Sequence, residues 1–435
     1  MKRALVTHWI VAWSLMAAFA AHPADITGGW QGIWTKDGDA LPVAVTFEKS
    51  GGGYSGWFDS DALQVAHIPF AEVREAGGKV HFVLKGDATT SVFDGAKKGN
   101  TLEGGFTEGE SKGTFVLTRA ALPQAAVASR NVTFTDGDVK LAGTLLLPPT
   151  PGKHPAVMFL HGSGPEGRWA NRWLAQKFAV AGIVALISDK RGVGGSTGDW
   201  KRVGFEPLAD DAAAGVRFLE KQPEVDVGRI GIYGHSQGGT IAPLVVERAQ
   251  EIAFVVASAP GGIPPADLET YSVENSIGVA SLPPKEAEDA RAFVRAIVDV
   301  GCRGASRAEL DTVAAKYKGR SWYFDAPPTD NSYWTISRQI ASFDPSAHWR
   351  HVQVPVLLLF GAHDERVPSI QSATAIRMAI AQEARRTRSD LRVTIKIYPD
   401  ADHTFTIVDP PRKTGWPRHE VDYALTITGW IQKLQ

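Results

Sequence analysis

RIGIYGHSQGG, residues 229–239, is the stretch whose reading decides the fold. Ile230, Ile232 and Tyr233 are β-branched or aromatic, the residue types that suit a buried strand. The run passes straight through Gly234, His235, Ser236, Gln237 and Gly238 into an apolar-periodic segment with helical spacing. Strand, glycine-flanked serine and helix in immediate succession make a nucleophile elbow of the GxSxG kind. A turn that sharp strains its serine, and a Cβ at either glycine would crowd the approaching strand and helix. Ser236 is therefore expected exposed at the carboxyl edge of a sheet.

A serine hydroxyl is a poor nucleophile at its ordinary pKa, so Ser236 needs a base in reach and a third group to orient that base. Downstream, PVLLLFGAHDERVP places Asp364 just beyond a buried strand, and IKIYPDADHTF places His403 just beyond the next. Parallel strands share one carboxyl end, so both fall at the sheet edge that carries Ser236. His403 is the candidate base, with His235 and His363 as rivals; Asp364 is the candidate acid, with Glu365 and Asp402 as rivals. His363, Asp364 and Glu365 are consecutive and cannot easily converge on a metal, and neither HExxH nor CxxC spacing occurs, so no metal is expected. The oxyanion of an acyl-transfer intermediate needs backbone N–H donors. Gln237, opening the helix, supplies one. The loop after PAVMFL, which begins HGSG, supplies the second from Ser163, with Gly162 as the alternative.

That loop also carries a rival. GSGPEG at 162–167 matches GxGxxG after a strand, and Asp189 ends the next strand near the spacing of a ribose-binding acid, as in an NAD-binding oxidoreductase. Pro165 interrupts the turn, however, the helix begins only near Ala170, and the pair NVTFTD and VKLAGTLLLP already precedes the loop. No cofactor is expected.

From Asn131 onward, near-continuous apolar strands alternate with amphipathic helices, which means a mostly parallel, doubly wound α/β sheet covered on both faces. Alternation stops for roughly ninety residues, longer than an ordinary connection. This insertion, 263–350, is expected to form a helical cap above the elbow. Ala290, Phe293, Val294, Ile297 and Val298 give it one clear helix, with Pro284 near its start and Gly301 just past its end. Its aromatics, Trp322, Tyr323, Phe324, Tyr333 and Trp334, either line a pocket or seal the cap. Before this region, residues 25–119 show short alternating runs broken by glycine and Asx turns, a small all-β domain. Trp30, Trp34 and Trp57 are expected in its core. Residues 120–130 read as a linker, and a chain starting near Ala126 is expected to keep activity. Residues 1–24, with Lys2, Arg3 and an apolar run from Trp9 to Ala20, read as a signal peptide, so a periplasmic or secreted protein is expected. Cys302, the only cysteine, is expected to be an inert thiol.

HGSG, DKRGVGGS (189–196), GHSQGG, GAHDERVP and DHTF stand in the order found in the α/β-hydrolase superfamily, which the chain resembles from 131 to 435. Together with a β-rich leading domain, HGSG and GHSQGG make it similar to a group of bacterial carboxylesterases. The resemblance implies a Ser236, Asp364, His403 triad, hydrolysis of acyl esters and a bracing role for Arg191. The superfamily also holds aminopeptidases and thioesterases, which stay as alternatives, as does a non-catalytic binding protein on the same scaffold. With 46 basic and 47 acidic residues, unclustered, the chain lacks the footprint of a nucleic-acid binder. Its expected partner is a small-molecule ester; no membrane span is expected.

Overall fold

The computed structural model describes residues 25–86, 89–120, 127–387, 392–411 and 415–434. The expected signal peptide and residues 121–126 of the expected linker lie outside them.

Nine antiparallel strands come first: β1 (Gly28–Lys36), β2 (Asp39–Ser50), β3 (Gly53–Ser60), β4 (Val65–Pro69), β5 (Glu72–Ala76), β6 (Lys79–Lys85), β7 (Thr90–Lys98), β8 (Thr101–Glu108) and β9 (Ser111–Ala120). Their order is β4-β3-β2-β1-β9-β8-β7-β6-β5, so the edge strands β4 and β5 are consecutive in the chain. Between them, Phe70 N donates to Gly56 O (2.9 Å) and Ala71 N to Val83 O (2.8 Å). The two edges thereby meet and the sheet curls almost closed. Trp30, Trp34, Phe47, Phe82, Phe93 and Phe115 fill its interior. Trp57 is not among them. It alternates with buried Phe58 along β3, so the pleat turns it outward, where it stacks on His67 at 4.6 Å.

The second sheet holds β10 (Ala128–Asp136), β11 (Val139–Leu147), β12 (His154–Leu160), β13 (Val184–Ser188), β14 (Val225–His235), β15 (Ile252–Ser258), β16 (Val356–Gly361) and β17 (Val393–Tyr398). Its order is β10-β11-β13-β12-β14-β15-β16-β17, parallel except for β10 and β11. Strand alternation divides the core in two. Ala156, Met158 and Leu160 of β12 pack with α2 (Phe205–Leu219) and α3 (Gln237–Arg248), whereas Val157 and Phe159 pack with α1 (Arg172–Val180).

Between β15 and β16 lie α4 (Pro265–Ser276), α5 (Pro284–Cys302), α6 (Arg307–Tyr317), α7 (Ser332–Ile340) and α8 (Pro345–Trp349). The helix foreseen at Ala290–Val298 is α5, but it runs through Gly301 rather than stopping there. Gly301 packs against Ser337, where an added Cβ would come within 3.2 Å of the Ser337 Cβ, and the break falls at Gly304, at φ +78°. Trp322, Trp334 and Tyr317 join Phe293 in a core belonging to these helices, with Tyr323, Phe324 and Tyr333 packed against it. The aromatics therefore seal the insertion. After β16 come α9 (Ser369–Thr387) and α10 (Tyr423–Gln432). Among the described residues, no helix is long and apolar enough to cross a membrane.

Candidate active site

Ser236 joins β14 to α3 at φ 53°, ψ −118°, left-handed backbone that a non-glycine residue holds only when its surroundings force it. A Cβ on Gly234 would sit 2.3 Å from Gly238 C, and one on Gly238 2.8 Å from His161 O. The GxSxG glycines are thus required by contact. Ser236 N donates to Ser258 O (2.8 Å), and the Thr240 hydroxyl, bonded to Ser236 O, accepts from Gly261 N.

The Ser236 hydroxyl meets His403 Nε2 at 2.9 Å, and His403 Nδ1 meets Asp364 Oδ2 at 2.8 Å. A carboxylate only accepts, so Nδ1 carries the proton and Nε2 is left to accept from the serine. Asp364 Oδ1 takes the N–H groups of Arg366 (2.8 Å) and Val367 (2.7 Å), and its side chain is fully buried. The rivals stand elsewhere. His235 Nε2 donates to His403 O (3.0 Å), and His363 lies 3.9 Å from Asp409. Asp402 accepts from Thr404 N and Thr406 N, shaping the turn, and Glu365 faces Arg366. Cys302 is half-buried, with burial pushing its thiol pKa up.

Gln237 opens α3, so its N–H has no acceptor inside the helix. Of the two residues expected to supply the second donor, Gly162 has its N–H engaged by Glu166 Oε2 at 2.7 Å. The dinucleotide reading fails at Asp189. Its carboxylate is held by Arg168 Nε and Nη2 (3.1 and 2.8 Å) and by the N–H groups of Arg168 and Gly195. No oxygen is left to receive a ribose. Arg191 clasps Asp211 with two bonds (2.7 and 2.8 Å), tying the loop after β13 to α2. Among the described residues no three His, Cys, Asp or Glu side chains converge as metal ligands.

Three residues that bear on the site, two beside it and one in the first sheet, escaped the sequence reading. Glu166 was passed over as part of a glycine run, and Lys190 as a companion of Arg191. Trp416 gave no signal, because its partners lie at the far end of the chain. It is buried in the first sheet's core, against Trp34 and Phe106 (6.3 and 5.9 Å), with Lys36 Nζ 4.2 Å over its ring. Its N and Nε1 donate to Asp39 (3.0 and 3.1 Å). Nearby, Gln64 donates to Glu420 O (2.8 Å), and Glu420 N to Phe405 O (3.1 Å), two residues past His403. The first sheet is thus fastened to the segment that carries His403.

Burial lowers the pKa of His161 and His235 to about 4 from an ordinary 6.5. An unfolded chain takes up those protons as pH falls from about 6.5 toward 4 while the folded chain refuses them, so stability falls across that window. The loss amounts to up to about 3 kcal/mol per ring. Urea unfolding at pH 7, 6 and 5 should show a declining free energy; an unchanged value at pH 5 would contradict the assignment of rings held neutral by the fold.

Residues 152–410, which include Ser163, Ser236, Asp364 and His403, match the family Hydrolase_4, serine aminopeptidase, S33. The chain belongs to that family. Esterase EstD of Thermotoga maritima is 24% identical to this hydrolase over 275 residues, 60% of this chain and 57% of EstD. The bifunctional esterase/perhydrolase DCH of Acinetobacter calcoaceticus is 27% identical over 235 residues, 49% of this chain and 75% of that protein. The chain spans 37% to 57% of the length of the first curated relatives it matches. The Pyrococcus furiosus esterase Pf2001 superposes with a TM-score of 0.45 at 20% identity, covering 71% of this chain and 92% of that one. This S33-family chain is an α/β-hydrolase that resembles esterases.

Proposed function

We propose that this hydrolase is a carboxylesterase that cleaves esters of short to medium acyl chains through an acyl-enzyme on Ser236. The observation that carries the reading is the unbroken hydrogen-bond chain from Ser236 through His403 to buried Asp364. Ser236 attacks the ester carbonyl while His403 Nε2 takes its proton, and Asp364 holds the ring and balances the imidazolium. The amides of Gln237 and Ser163 receive the oxyanion; Gly162 N is already committed to Glu166, which favours Ser163. The imidazolium returns the proton to the leaving alkoxide, and water then repeats the sequence to release the acid.

Short chains are favoured by how the insertion between β15 and β16 is fastened. Tyr271 donates to Asp364 O (2.8 Å), Asn275 to Glu365 O (3.1 Å), and Gln339 to Arg202 O (2.7 Å). Held at both flanks, it acts as a fixed cap rather than a lid that swings open at an oil surface. An aminopeptidase would need a carboxylate for a substrate amino terminus. Asp267 faces Arg303, Glu274 faces Arg291, and Glu269 accepts from Tyr333 while burial raises its pKa toward the neutral form. That arrangement suits an uncharged substrate better. In a side-by-side panel, aryl acetate and butyrate should exceed the palmitate in kcat/KM by at least about tenfold. Amino-acid anilides should be poorer still; an anilide ranking first would replace the esterase reading with a peptidase.

A further inference from the structure

Lys190 is a buried ammonium that the proposed reaction leaves unused. It is 2% exposed, two residues past β13. Its Nζ donates to Gly162 O (2.8 Å), Gly164 O (3.1 Å) and Gln237 Oε1 (3.0 Å). An ammonium has three protons, and these acceptors take all of them. Two belong to the loop that carries Ser163, and the third to the residue following Ser236. The Gly162 carbonyl and the Ser163 N–H are parts of one peptide unit, planar and trans, so the oxygen and the hydrogen point in opposite directions. A cation gripping that oxygen fixes where the N–H points and polarises the amide toward stronger donation.

We infer that Lys190 is a positioning residue for the oxyanion hole, its ammonium aiming and polarising the Ser163 amide while holding Gln237 beside it. The inference rests on reading Ser163 and Gln237 as the oxyanion donors. As the carbonyl oxygen of a substrate gains charge, the aimed N–H meets it and the Lys190 charge lies one peptide behind, where both act on the transition state more than on the bound ester.

The groups around the ammonium make its charge conditional on pH. Glu166, on the loop, favours the charged form, and His161, at the end of β12, stays neutral to about pH 4. Arg191 and Asp211, which line the same cavity of about 20 Å³, neutralise each other, and the Trp200 ring lies 5.1 Å away. Burial outweighs Glu166 and lowers the Lys190 pKa to about 8. Above that pH the amine gives up one of its three donated bonds together with its charge.

The test measures kcat and KM on an aryl butyrate from pH 6 to 10, and affinity for a trifluoromethyl ketone, in the full chain and its Lys190→Met and Lys190→Arg variants. Wild-type kcat should fall above about pH 8 while KM holds. Lys190→Met should lower kcat about 100-fold with KM within about twofold, weaken the ketone by the same factor, and lack the alkaline fall. Lys190→Arg, charged throughout, should recover about tenfold over the methionine variant and also lack the fall. Full kcat in Lys190→Met, or a loss that leaves ketone affinity unchanged, overturns the inference. Should the methionine variant fail to fold by circular dichroism, a wild-type kcat flat across pH 7 to 10 overturns it. Ser236→Ala, run alongside, separates the two levels: an inactive alanine variant beside a fully active Lys190→Met refutes Lys190 alone, whereas an active alanine variant refutes the reading beneath it.

Discussion

Ser236→Ala should fold as the wild type does and lose ester turnover by on the order of 10⁴-fold or more. The fold should persist because the elbow is made by its neighbours. Gly234 and Gly238 admit the close contacts, and the backbone bonds of Ser236 to Ser258 and Thr240 do not involve its hydroxyl. Alanine also relieves no clash and buries no new group. Turnover should fall that far because, among the described residues, the Ser236 hydroxyl is the group bonded to His403 Nε2, and the oxyanion amides and binding alone keep only a residual acceleration of about 10³–10⁴-fold over the reaction in water. The measurement is steady-state hydrolysis of an aryl acetate by variant protein purified away from host esterases, with thermal unfolding run in parallel. Undiminished turnover from a folded variant would sink the mechanism.

Trp416→Ala should have the second-largest effect, on stability and activity together. Replacing a buried tryptophan by alanine typically costs about 3–5 kcal/mol. Here it would also remove the indole bond to Asp39 O, while the backbone bond from residue 416 N to Asp39 stays, and leave Trp34 and Phe106 without the ring they pack against. The activity loss follows from sequence proximity. Trp416 lies on the segment whose Glu420 N holds Phe405 O, and Phe405 sits at φ +61°, two residues from His403. Loosening it should let the imidazole leave the line between Ser236 and Asp364, so kcat should drop at temperatures where the protein is still folded. A chain lacking the first sheet should suffer the same loss, which reverses the expectation that a form starting near Ala126 works alone. Wild-type kcat in Trp416→Ala below its unfolding transition would show that the sheet does not hold the histidine segment.

How much of this could be read beforehand depends on whether a feature is local. The elbow, the strands and the acid and histidine loops are written in runs of ten residues or so, where β-branched strands, flanking glycines and helical spacing act on near neighbours. That is why Ser236, Asp364 and His403 were legible, and why Asp189 offered a rival: GxGxxG is local too, but Arg168 occupying the carboxylate depends on how two loops meet. Trp57 was misassigned for a simpler reason. Composition favoured core aromatics, while the pleat of β3 had room inside only for its neighbour Phe58. Lys190 and Trp416 were illegible because each acts on partners distant in the chain, and Lys190 shows its role only once three acceptors are seen to converge on one nitrogen.

The place of Trp416 in the first sheet also sets an order of events during synthesis. Its partner Asp39 lies 377 positions earlier. At about 5–20 residues per second, a ribosome that has finished β1 and β2 needs roughly 20–75 s more before it can supply that indole. All nine strands are complete long before then, and they must wait with one side of their aromatic interior uncovered. The sheet that stands first in the chain therefore cannot finish until almost the whole chain has been made, and a nascent chain released before residue 416 lacks the indole that packs into that interior.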